Sequence, residues 1–286
     1  MQTGSGGGVG SAGVSWTPWT VGGILNGVTY GNGLFVAVGW AGIILTSSDG
    51  NTWKLRISPN YKDLFGVGYG NGLFVAVGED GTILTSPDGT EWTERNSGTG
   101  TSLRAVAYGD GRFVAVGDGG TVFTSLEGIF WEKQTLGVSD GLNGVAYGNG
   151  LFVAVGDGPS VFISRNGEEW TERWRTQTEK KGKGLKAVAY GNDLFLTVGD
   201  DDTILISPDG MHWRSWNLLT GIKFNGVAYG EDGFAVVGDG SFILTSPDGI
   251  AWRKHSLEDK TYSLHGVAYG NGTFVAVGER ILLTSP

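Results

Sequence analysis

The chain has 286 residues, 53 of them glycine, with 40% hydrophobic residues, no cysteine and a formal net charge of −9. That apolar fraction excludes a disordered chain, and glycines without a three-residue period exclude a collagen-like helix. The acidic balance argues against nucleic acid as a partner, and the lack of cysteine removes disulfides, thiolate metal sites and cysteine nucleophiles.

In chain order, residues 1–13 (MQTGSGGGVGSAG) read as a flexible Gly/Ser-rich leader. They lack the basic region and apolar run of a signal peptide. No apolar run approaches the roughly 20 residues needed to span a bilayer, so no membrane insertion is expected. Residues 14–286 read as a single domain built on a repeat. The stretch YGNGLFVAVG occurs at 30–39, 69–78 and 147–156. Tyrosine recurs in the same context at Tyr30, Tyr69, Tyr108, Tyr147, Tyr190, Tyr229 and Tyr269, mostly 39 residues apart, and in the first six units a tryptophan follows 23 residues later.

One unit reads GVGYGNGLFVAVGEDGTILTSPDGTEWTER (66–95). It holds four strand-length runs separated by the turn signals GNG, EDG and PDG. LFVAV is apolar on both faces, as in a strand covered on both sides, and TEWTER is half polar, as in an outer strand. The first run carries a small residue one position before each tyrosine, such as Gly68 or Ala107, which suits crowding near an axis. A period near 40 with four strands per unit predicts an all-β fold, a seven-bladed β-propeller of four antiparallel strands per blade. The seventh unit stops at LLTSP (282–286), before its fourth strand, and SAGVSWTPWT (11–20) matches SPDGTEWTER (86–95) in its Gly and Trp spacing. The expectation is that residues 14–20 complete the C-terminal blade (266–286) and close the ring, leaving no free edge.

SSDGNTW (47–53), SPDGTEW (86–92), SPDGMHW (207–213) and SPDGIAW (246–252) are the most regular element, with SLEGIFW (125–131) and SRNGEEW (164–170) as degenerate copies. These stretches resemble the Asp-box, or BNR, repeats of sialidase-type and photosystem-assembly-factor-like propellers, with one residue fewer between Asp and Trp than the usual box. The resemblance implies a folding element away from the active face. The chemistry agrees: Asp or Ser oxygens accept turn N–H groups, Gly takes positive φ, and Trp anchors the outer strand. Asp49, Asp88, Asp209 and Asp248 are therefore assigned as structural turn residues.

The YGNG and SPDG turns share one face and barely vary. The second-to-third turns and the connections between units share the other, and those connections differ widely: KLRISPNYKDLF (54–65), TERWRTQTEKKGKGLK (171–186), RKHSLEDKTYSLH (253–265). Variable loops on a rigid scaffold make this second face the expected binding face. Four residues before each repeat tyrosine, the inner strands begin with Asn26, Phe65, Arg104, Asn143, Lys186, Asn225 and His265, of which six are polar. In the first unit Trp40 stands where other turns carry acids, and with Tyr61 and Phe65 it is the preferred site for a protein or a sugar ring. The Asp200, Asp201, Asp202 run has the chemistry of a hard-cation site, but Asp also simply forms turns, and the turn reading is preferred. No metal or cofactor is assigned.

Chemistry is otherwise sparse. His212, His255 and His265 are not spaced as a metal set, and there is no HExxH, P-loop, GxSxG or dinucleotide fingerprint. Arg104 is the one arginine of the mouth series, whereas a sialidase-like site needs several. Lys180, Lys181, Lys183 and Lys186 make a basic loop in an acidic chain. The reading is a non-catalytic binding or structural propeller that presents its variable face to a protein or glycan, as a bacterial surface or secreted module or a virion-associated protein. The alternatives are an assembly factor resembling the photosystem propellers, and a glycoside hydrolase working with two mouth carboxylates.

Overall fold

The computed structural model describes residues 16–158, 160–175, 184–217, 221–255 and 262–285. The leader and Lys180, Lys181 and Lys183 lie outside them. Among the described residues the elements are strands, with three-residue 3-10 turns as the sole helical pieces. The first unit is β1 (Thr17–Gly31), β2 (Leu34–Gly39), β3 (Ile44–Ser47) and β4 (Lys54–Arg56). β1 turns into β2 through Asn32 (φ 48°) and Gly33 (φ 75°), the double positive-φ turn whose twist suits a two-residue hairpin. β2 is buried almost throughout, as its two apolar faces require.

Among the described residues the hydrogen-bonded sheets number six, not the expected seven. Five have four strands, and the sixth has six, in the order Leu264–Gly270, Thr273–Thr284, β1, β2, β3, β4. The expected separate seventh blade, completed by an outer strand at 14–20, is thus corrected. The N-terminal segment is the first half of one continuous strand. Thr17 pairs with Thr284 and Thr20 with Ile281, and after a register shift the same strand pairs with β2 from Leu25 onward.

Two length differences account for this. Leu25 follows Trp16 by nine residues, whereas Leu64 follows Trp53, Leu103 follows Trp92 and Leu142 follows Trp131 by eleven. Nine residues span about 30 Å at most, so this connection has no slack to loop out and stays in strand conformation. The last second-to-third turn is also one residue shorter, running Gly278-Glu279-Arg280-Ile281 where the second unit has Gly78-Glu79-Asp80-Gly81-Thr82. Its two strands merge into Thr273–Thr284. The six-stranded sheet is folded rather than flat: Leu25, Val28, Phe35 and Ala37 from one half pack against Ala268, Val275, Val277 and Leu282 from the other.

Apolar clusters fill the spaces between neighbouring sheets, for example Val36, Ile44, Leu64, Phe74 and Trp92. Phe35, Phe74, Phe113, Phe152 and Phe195 are fully buried, each worth roughly 1.5–3 kcal/mol of transfer free energy. Each inner strand ends against the tyrosine of the next. A Cβ added to Gly70 would lie 2.1 Å from Cγ of Tyr108, and one on Gly270 would lie 2.0 Å from Cγ of Tyr30. The glycine of YG is therefore demanded by the neighbouring ring.

The SxDG turns are satisfied from within. Ser86 Oγ accepts the buried N–H of Gly89 (2.8 Å), Asp88 Oδ1 accepts that of Thr90 (2.8 Å), and the Trp92 indole donates to the Gly89 carbonyl (3.1 Å). Asn166 replaces Asp in the fourth copy and keeps the pattern, accepting from Glu168 and Glu169 N–H groups at 3.0 Å.

Candidate functional site

The seven inner strands share an irregularity that the repeat did not reveal. Each carries a bulge at its start, and the extra residue is the mouth residue every time. Leu64 pairs with Gly78 and Gly66 with Val77, which leaves Phe65 over. The same shift leaves over Asn26, Arg104, Asn143, Lys186, Asn225 and His265. A bulge re-aims a side chain, and all seven line one cavity of about 210 Å³ where the inner strands converge.

Four of the seven spend their side chains on the scaffold. Asn26 Nδ2 donates to the Leu64 carbonyl (2.8 Å), Asn143 to that of Leu185 (3.0 Å) and Asn225 to that of Leu264 (2.9 Å). His265 Nδ1 meets the Leu25 carbonyl at 3.1 Å. Each acceptor precedes the bulge of the next inner strand, so these side chains clip neighbouring strands together.

Phe65, Arg104 and Lys186 have no such clip. The Arg104 guanidinium stands over the Phe65 ring, 5.1 Å from its centroid, and grips Asp118 through Nε (2.7 Å) and a second nitrogen (3.2 Å). Lys186 Nζ lies 3.4 Å from Asp157 and 3.7 Å from Asp200. The mouth thus has one sector of aromatic and cationic groups set in a carboxylate rim, with Asp157 and Asp239 also taking Asn143 and Asn225 at 2.8 Å.

The aromatic trio is not assembled. Phe65 lines the cavity, but Trp40 (50% exposed) sits on its own turn and Tyr61 (89% exposed) on the following connection, and neither lines the cavity. The DDD run separates as well. Asp200 accepts the Gly184 N–H (2.9 Å), Asp201 takes positive φ in the turn, and buried Asp202 accepts the N–H groups of Gly221 and Ile222. Among the described residues no three His, Asp or Glu side chains are grouped as metal ligands.

On the opposite face, Asp49, Asp88, Asp209 and Asp248 lie in the SxDG turns. Their carboxyls are held below the ordinary Asp value. The largest cause is the Thr52 N–H for Asp49, the Thr90 hydroxyl for Asp88 (to about 2), His212 for Asp209 and the Ala251 N–H for Asp248.

No protein-family model matches the sequence, and no curated protein does. Solved structures match over nearly the whole chain. YCF48, in a structure with bound D1 peptide, superposes with a TM-score of 0.76 at 17% identity over 94% of each chain. Virginiamycin B lyase from Staphylococcus aureus gives 0.82 at 10% identity over 95% of this chain and 98% of that one. The WD40 β-propeller domain of Doa1 gives 0.70 at 13% identity over 93% of each. The protein is a β-propeller. At these identities the likeness is one of fold, and its neighbours include both a peptide-bound protein and a lyase.

The bulge and the clips left no mark that sequence reading could use. Polarity at six of seven repeat positions marked the series, but nothing in it separates the clipping side chains from Phe65, Arg104 and Lys186.

Proposed function

We propose that this chain is a non-catalytic protein-binding propeller that takes a segment of a partner protein at the channel mouth. The observation that carries the reading is the convergence of seven bulged side chains on one cavity, three of which give no hydrogen bond to a neighbouring inner strand. Phe65 offers an apolar anchor, and Arg104 and Lys186 offer donors beside it. The mouth carboxylates Asp118, Asp157, Asp200 and Asp239 are already engaged by donors from the chain, which suits a binding rim better than an acid–base pair. YCF48 with bound D1 peptide supports a second, related reading, an assembly-factor-like role. The kinship with BNR/Asp-box propellers, the bacterial-surface or virion setting and a glycan in place of a peptide belong to this proposal as its finer parts.

A peptide array and a glycan array probed with the full chain test it. Peptides that bind wild type are expected to lose at least tenfold in affinity with Phe65→Ala and with Arg104→Ala, and to bind Asp88→Asn normally. An array without binders, binders indifferent to the mouth variants, or turnover of a fluorogenic glycoside panel overturns the reading.

A further inference from the structure

A second surface stands out on the outer rim, away from the mouth. Between the first half of β1 and the β3–β4 hairpin lies a groove of about 620 Å³, walled by Trp19, Val21, Ile43, Leu45, Trp53 and Leu55. Trp19 is 43% exposed and Leu55 70% exposed.

The groove is open because of the short connection. In the second unit the chain arriving from the first loops out, and Asn60 Nδ2 reaches Glu94 Oε1 on the outer strand (3.0 Å). Leu55 holds the position of Glu94, two residues past the unit's tryptophan, but the connection reaching its unit is the straight run of β1, and among the described residues no loop covers it. The centre of the edge strand also differs from its counterparts. β4 ends its sheet, and the equivalents of Leu55 are Glu94, Lys133, Glu172, Ser215 and Lys254. Exposed edges normally carry polar or charged residues against strand addition, and here the central residue is leucine, with exposed Ile57 just beyond it.

We propose that this edge and groove take an extended segment of a partner protein, which adds as a strand beside β4. Its residues alternate apolar and acidic. The apolar ones lie on the side of Trp53 and Leu55, over the groove, and the acidic ones stand opposite Lys54 and Arg56. A second copy of the chain fits poorly, because antiparallel pairing of β4 with itself about Leu55 sets Lys54 against Arg56.

The probe is a labelled synthetic peptide of alternating valine and glutamate, with a valine–lysine counterpart, titrated by fluorescence anisotropy against the full chain. The acidic peptide is expected to bind at least tenfold more tightly than the basic one. Leu55→Glu, which copies the second unit, and Gly22→Leu, where a Cβ meets nothing within 4 Å at the groove wall, should each weaken it at least tenfold without changing thermal unfolding. Phe65→Ala should leave it intact, which separates this surface from the mouth. No binding at millimolar peptide, equal binding to both groove variants, or a wild-type dimer in sedimentation that Leu55→Glu abolishes overturns the proposal.

Discussion

Within each SxDG turn, serine and aspartate share the work unequally. Ser86 is fully buried and is the acceptor for a buried N–H, whereas Asp88 is exposed and caps N–H groups that water can also reach. Ser86→Ala leaves the Gly89 N–H buried without a partner and should destabilise by about 1–3 kcal/mol. Asp88→Asn should be close to neutral at pH 7, since Asn166 already does the same task in the fourth copy. Urea unfolding of the two variants checks the contrast, and equal losses would contradict it. The sequence suggested both oxygens as acceptors. Which one is buried depends on the sheet packed behind the turn.

Among the elements, β1 differs most from the repeat. Its first half pairs with Ile281–Thr284, and Trp16 just before it is 7% exposed, packed among Val237, Ile281 and Leu283. Trp16→Ala should cost about 3–5 kcal/mol, as for a large side chain lost from a core, and should expose the Thr17, Trp19 and Thr20 amides to hydrogen exchange ahead of the other strands. Exchange of those amides at the rate of the global unfolding reaction would argue against a locally anchored strand. The match of SAGVSWTPWT to the box spacing was legible, and so was its strand character. That the strand continues unbroken into the next hairpin was not, because it follows from a shortfall of two residues in a connection and one in a turn.

Taken whole, the molecule holds four carboxyls below their ordinary value on the face opposite the mouth. The Asp49, Asp88, Asp209 and Asp248 carboxyls sit below the ordinary Asp value near 3.9. A group depressed by folding contributes stability that is fully present above its unfolded value and is lost as the pH falls through its folded value. Thermal stability should therefore decline as the pH falls from about 4 towards 2, the folded value of Asp88. The decline should be modest, because these groups are exposed. The fourfold Asp→Asn variant should show a flatter melting-temperature profile across that window, and an unchanged slope would mean that other carboxylates dominate.

The repeat by itself determined the strand content, the hairpin turns, the Ser–Asp–Trp chemistry and the seven mouth positions. Each of these is a local pattern of period, turn residue and side-chain size. Tertiary structure alone decided how the strands join into six sheets, which mouth side chains clip their neighbours and which do not, and where the rim lies open. Sheet continuity depends on whether a connection has slack to leave the sheet. A bulged side chain's role depends on the carbonyl that the neighbouring strand brings to it, and neither is a property of any one stretch of chain.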